Sequence, residues 1–75
     1  KNYTVAEQAY KNAIRIKSNE RYTVEYLALS YIGLARINKI RGNTDVAKSN
    51  YKLCLKYAEY TWLVEAAKRE LKSLS

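Results

Sequence analysis

Side chains able to do chemistry are few and scattered in this chain. It has no His and one Cys, Cys54, so it lacks an imidazole base, a Cys–His pair and any Cys/His metal constellation. The seven acids are Glu7, Glu20, Glu25, Asp45, Glu59, Glu65 and Glu70. Most fall at expected helix starts or exposed positions, and no two flank an apolar pocket at a spacing suited to acid–base work. Tyr and Lys are present as a nominal base and nucleophile, but nothing groups them. Gly42 is isolated, so no glycine loop cradles a phosphate. The sequence therefore predicts a chain that is not an enzyme, with no catalytic residue, no cofactor site and no metal site. Cys54, on a packing face, reads as a small buried residue rather than a reactive thiol.

Positive charge is the remaining signal. Fourteen Lys and Arg against seven acids give a formal net charge of +7. Lys48, Lys52 and Lys56 recur at i, i+4 and i+8, which places them on one helical stripe. With Arg41 and Arg36 they form a candidate contact for nucleic acid or another polyanion. A solvated face explains the same stripe. Tyr side chains are able to stack on bases, but Tyr10 and Tyr51 are expected in the core.

Composition limits the elements that can position these groups. Hydrophobic residues make up 48% of the 75, enough for a packed domain rather than a disordered tail. There is no Pro, and the only glycines are Gly33 and Gly42, too little turn punctuation for a β or α/β domain. An all-α fold is expected.

Four helices follow from the patterning, at about residues 4–17, 20–41, 44–58 and 61–74. Thr4 with Glu7 reads as a capping box, followed by Ala6, Tyr10, Ala13 and Ile14 on one face. Thr23, with Tyr22 stapled to Leu27, is one candidate cap for the second helix and Ser18 or Asn19 another for an earlier start, and Gly42 is its stop. Asn43, Thr44 and Asp45 open the third helix, and Thr61 is the expected cap of the fourth. Tyr57, Tyr60 and Trp62 are expected to pack at the corner near 58–61. No Gly or Pro enforces a break there, so a single helix over 44–74 stays open as an alternative.

An internal echo sharpens the fold class. "VAEQAYKNAIRI" (5–16) aligns without a gap on "VAKSNYKLCLKY" (46–57), 41 residues on. Val5, Ala6, Tyr10 and Lys11 recur as Val46, Ala47, Tyr51 and Lys52, while Ala13 and Ile14 answer to Cys54 and Leu55. Small residues one turn from an aromatic suit a helix packed between two neighbours. A period of this size signals an array of helical hairpins.

With this pattern the chain resembles the tetratricopeptide repeat (TPR) family, best over "YIGLARINKIRGNTDVAKSNYKLCLKYA" (31–58). Tyr31, Leu34 and Ala35 stand in the first helix of the motif, Gly42 at its turn, and Ala47, Tyr51, Cys54 and Leu55 in its second helix. Asn38 replaces a usual aromatic, no Pro follows the second helix, and the 41-residue offset exceeds the family's 34. The resemblance implies a divergent right-handed α-solenoid of about four antiparallel helices, as a single domain or a fragment spanning 1–75. A three-helix microtubule-interacting-and-trafficking (MIT) adaptor domain is the nearest rival.

From the resemblance follows a protein–protein interaction scaffold that binds a peptide or protein segment of some acidic character on a concave apolar and basic face. Leu29, Ile32, Arg36, Lys39 and Ile40 are the residues it places on that face. The particular Lys/Asn/Arg clamp by which some family members hold acidic C-termini is not reproduced. No apolar run approaches the ~20 residues of a membrane span, and the charged start, with Lys1, Glu7, Lys11 and Arg15, does not read as a signal peptide. An intracellular, cytoplasmic setting is expected, for a fragment or a processed chain.

Overall fold

The computed structural model describes residues 3–17 and 24–74. They form four helices, α1 (Tyr3–Lys17), α2 (Val24–Ile40), α3 (Thr44–Tyr57) and α4 (Thr61–Lys72), with no strand among the described residues. The fold is all-α. None of these helices is long and apolar enough to cross a membrane.

Helix α2 is the centre of the packing. It is apolar nearly all round, the pattern of a helix covered on more than one side, and it lies against both α1 and α3, while α4 packs on α3. Leu27, Ala28, Ile32, Leu34, Ala35 and Ile37 are all buried along it. The continuous core joins Ala28, Ile32 and Ala35 to Ala47, Tyr51 and Cys54 of α3 and to Leu63, Ala66 and Ala67 of α4. Small residues dominate each of the three helices, so their backbones approach closely and Tyr51 fills the space between them. Tyr31 of α2 adds a ring stack on Tyr57 of α3, with centroids 5.9 Å apart and planes 10° from parallel.

The echo between α1 and α3 is carried into different depths. Ala47, Tyr51 and Cys54 have no exposed surface, whereas Ala6, Tyr10 and Ala13 are half-buried. Tyr10 lies directly over Gly33 of α2, where a methyl group would come well inside 3.0 Å of three of its ring carbons. Gly33 is therefore the seat on which α1 docks.

Between α2 and α3 the chain turns as the sequence predicts. Gly42 takes the left-handed conformation (φ 82°). Its N–H donates to Lys39 O at 3.1 Å and that of Asn43 to Asn38 O at 2.8 Å, the Schellman pair. Asn38 gains a role the sequence did not suggest. Buried in α2, it donates from Nδ2 to Leu34 O (2.9 Å) and accepts at Oδ1 from Asn43 Nδ2 (3.2 Å), clamping the turn.

Three cap expectations need correction. Thr4 lies inside α1 rather than ahead of it, and Glu7 turns to basic partners instead of the helix start. Asn43 occupies the N-cap position of α3 without a side-chain cap bond, since its amide is held by Asn38. Tyr60, not Thr61, is the N-cap of α4, again without a side-chain bond. The Thr23 cap, the alternative caps at Ser18 and Asn19, and the Tyr22 staple fall outside the described residues.

A break does separate α3 from α4, and its cause lies elsewhere in the chain. Ala58 (ψ 132°) and Tyr60 (ψ 132°) are extended. The Glu25 carboxylate of α2 accepts the backbone N–H of Glu59 and, at 3.2 Å, that of Tyr60. Two amides that a continuous helix would bond internally are thus held from outside. The Tyr57–Tyr60–Trp62 packing expectation holds only in part: Tyr57 stacks on Tyr31, while Tyr60 and Trp62 are exposed.

One register runs through the contacts between α2 and α4. Glu25 meets the Glu59 amide, Arg36 meets Glu70, and Lys39 meets Ser73, each pair 34 residues apart. Of the three contacts only Arg36–Glu70 joins the helices themselves, Glu59 preceding α4 and Ser73 following it, and the constant separation means that α4 runs in the same direction as α2.

Candidate interaction surface

A three-helix polar network forms the floor of the α2–α4 face. Arg36 forks onto Glu70, with Nε to Oε1 at 2.9 Å and Nη2 to Oε2 at 2.7 Å. The Tyr51 hydroxyl donates to the same Glu70 Oε1 at 2.8 Å. Arg36 and Tyr51 thereby satisfy both carboxylate oxygens, the geometry in which a guanidinium binds most strongly. Hydrogen bonding to Arg36 holds the Glu70 carboxyl below its ordinary value. Burial, then the bond to Glu70, pushes the Tyr51 phenol well up. Beneath it, burial raises the Cys54 thiol to about 11, which keeps it protonated at neutral pH.

A second strap crosses from α1 to the end of α2. Arg41 donates from Nη1 to Glu7 Oε1 (2.8 Å) and from Nη2 to Thr4 Oγ1 (3.1 Å). Lys11 lies 3.8 Å from the other Glu7 oxygen. The bond from Arg41 lowers the Glu7 carboxyl. Glu7 and Glu70 thus carry all three ion pairs among the described residues, and neither is the exposed acid that the sequence suggested.

These two carboxylates set the acid limit of the fold. Both have folded values below the ordinary 4.5, so the unfolded chain binds protons more readily than the folded one. Their contribution is fully present above about 4.5 and is lost as the pH falls through the folded values. Urea unfolding should give a midpoint that is flat from pH 7 to about 5 and then declines. Glu70→Gln should be less stable at pH 7 and show a shallower acid decline.

Residues expected on the binding face separate into three groups. Ile32 is 2% exposed and belongs to the core, so it faces α3 and α4 rather than a partner. Arg36 is at the surface but fixed to Glu70, and Lys39 reaches Ser73 Oγ at 3.4 Å. Leu29 (39% exposed) and Ile40 (61%) are apolar positions with exposed surface, and Tyr26 (57%) is exposed one turn before Leu29. Tyr26, Leu29, Arg36 and Ile40 lie along one side of α2, but Gly33 stands in the same line and is covered by Tyr10 of α1, so the exposed positions fall on either side of the α1 contact. Sequence reasoning missed Tyr26, whose spacing of three from Leu29 was a readable signal.

Residues expected to meet a polyanion also divide. Arg41 is taken up by Glu7 and Thr4, so it does not join the lysine stripe. Lys52 and Lys56 are exposed on α3, and Lys48 is half-buried beside them. Lys56 sits 5.4 Å from the centroid of the Tyr57 ring. No carboxylate among the described residues pairs with any of the three.

No family model, curated protein or solved structure matches the chain.

Proposed function

We propose that this chain is a non-catalytic, TPR-like scaffold of antiparallel helical hairpins that binds a protein or peptide segment inside the cell, in the cytoplasm. The observation that carries the proposal is the 34-residue register between α2 and α4. That separation equals the length of one TPR unit, and it supports α2 and α4 as equivalent helices of successive hairpins. In this reading α1 and α3 are the intervening second helices, and their gap-free match in sequence runs at an offset of 41, seven residues longer than the α2–α4 register.

A scaffold of this kind acts by rigidity. The core and the Arg36–Glu70–Tyr51 network fix α2 beside α4, so the exposed stripe is ordered before a partner arrives. Tyr26, Leu29 and Ile40 are the apolar anchors on it, and Lys39 supplies positive charge for a partner with some acidic character. Arg36 shapes the floor.

Paired capture experiments test this. Leu29→Asp with Ile40→Asp should lose at least tenfold in captured partner while leaving thermal stability nearly unchanged, because both side chains are already exposed. Equal capture by the double variant and the wild type would remove α2 as the binding face.

The unpaired lysines of α3 favour a second reading, a small basic helical domain that binds nucleic acid. It requires affinity for nonspecific duplex that falls steeply with salt, and Lys52→Glu with Lys56→Glu should abolish that affinity. No binding at low salt would dismiss it.

A further inference from the structure

The corner at 58–60 is bent by a contact from another helix and not by its own residues. Ala58 and Glu59 are good helix formers, and neither Gly nor Pro stands between Gly42 and Ser75. The Ala58 N–H still donates to Cys54 O at 2.8 Å, as the next helical residue would. If the helix continued, the amides of Glu59 and Tyr60 would bond the carbonyls of Leu55 and Lys56. Instead both are held by Glu25 Oε1. The other Glu25 oxygen is buried and has no hydrogen-bond partner among the described residues.

From this we infer that Glu25 is a latch that keeps the chain monomeric, and that releasing it lets a second copy of this chain exchange α4 through a continuous α3–α4 helix. Such a helix, over residues 44–72, would be roughly 43 Å long at 1.5 Å per residue. It carries α4 away from its own α2 and α3. The α4 of the second copy then takes the vacated place, where Leu63, Ala66 and Ala67 complete the same core and Glu70 meets Arg36 and Tyr51. Every contact of α4 is remade across the exchange. Only the Glu25 bonds at the corner are lost, and the amides they held pass into the helix. The choice between monomer and exchanged dimer therefore falls on the corner.

Light scattering on size-exclusion fractions of the whole chain, from micromolar to millimolar, reads the outcome. Glu25→Ala should form a dimer whose dissociation constant is at least tenfold lower than that of the wild type, with helicity equal or slightly higher. Adding Tyr60→Pro should restore the monomer. Tyr60 has φ −76°, which proline accepts, while proline there prevents the continuous helix. Should Glu25→Ala unfold, Glu25→Gln keeps the volume and the acceptor and weakens the latch, and its dimer constant should fall in the same direction. A folded monomer for Glu25→Ala overturns the inference, and so does a folded Glu25→Gln with an unmoved constant. A dimer that survives Tyr60→Pro overturns it too, because association would then not need the continuous helix.

Discussion

Replacing Tyr51 by Ala should cost about 3–5 kcal/mol, the range for deleting a large buried aromatic. Tyr51 is among the largest fully buried side chains, and its ring sits where small residues from three helices converge. The loss has a second component, because Glu70 also forfeits the hydroxyl that donates to Oε1. A domain of this length has a total stability of about 4–11 kcal/mol, so the variant should lose from about a quarter of its stability to all of it. Tyr51→Phe separates the two components. It keeps the ring and removes only the hydroxyl, and should cost about 1.5–3 kcal/mol, the scale of one hydrogen bond to a charged group. Thermal unfolding followed by circular dichroism distinguishes them. A Tyr51→Ala melting temperature within a few degrees of the wild type would show that the three-helix junction is not where stability resides.

Gly33→Ala is the second large effect, and its sign opposes helix propensity. In an exposed helix interior the change would gain about 1 kcal/mol. Here the new methyl would collide with three atoms of the Tyr10 ring. The atoms it meets are the far end of the half-buried Tyr10 side chain, so relief requires the ring to swing off Gly33 or α1 to shift. Overpacking of this kind costs about 1–3 kcal/mol, and the net should be a loss of about 1–2 kcal/mol concentrated in α1. Hydrogen exchange should report it as faster exchange across residues 3–17 with α3 and α4 little changed. Tyr10→Leu in the Gly33→Ala background should recover part of the loss, because the two sites share one contact. Faster exchange spread evenly over all four helices would contradict the assignment of Gly33 as the docking seat.

What the sequence revealed followed from local periodicity. The small–aromatic–small order of α3 put Ala47, Tyr51 and Cys54 on one face, and all three are buried. Gly42 announced the turn before α3, and it takes positive φ there. Periodicity failed on α2 because a helix apolar all round has no single outward stripe, and Ile32 was placed on the wrong side for that reason. It failed again wherever a partner lies a whole unit away. Glu25, Glu70 and Arg41 look like ordinary surface charges until α4 is laid beside α2 and α1 beside the end of α2. The acids at 25 and 70 make their contacts 34 residues away, a distance that no local pattern contains.

The same register takes up two of the exposed cations within the fold. Arg36 looked like a groove cation but is a strut, and Arg41 looked like a phosphate contact but is a strap. Positive charge without a carboxylate partner is found on the α3 lysines, while the exposed apolar positions of the proposed binding face are on α2.

Charge reversal across one 34-residue pair tests the α2–α4 register most directly. Arg36→Glu alone should cost about 1 kcal/mol, since it sets two carboxylates against each other at a half-exposed site that solvent screens, and Glu70→Arg alone should cost a similar amount. The double variant, with the pair reversed, should recover at least about 1 kcal/mol relative to the sum of the single losses, measured by urea unfolding. Losses that simply add would mean that α2 and α4 do not meet in this register, and the repeat reading built on it would fall.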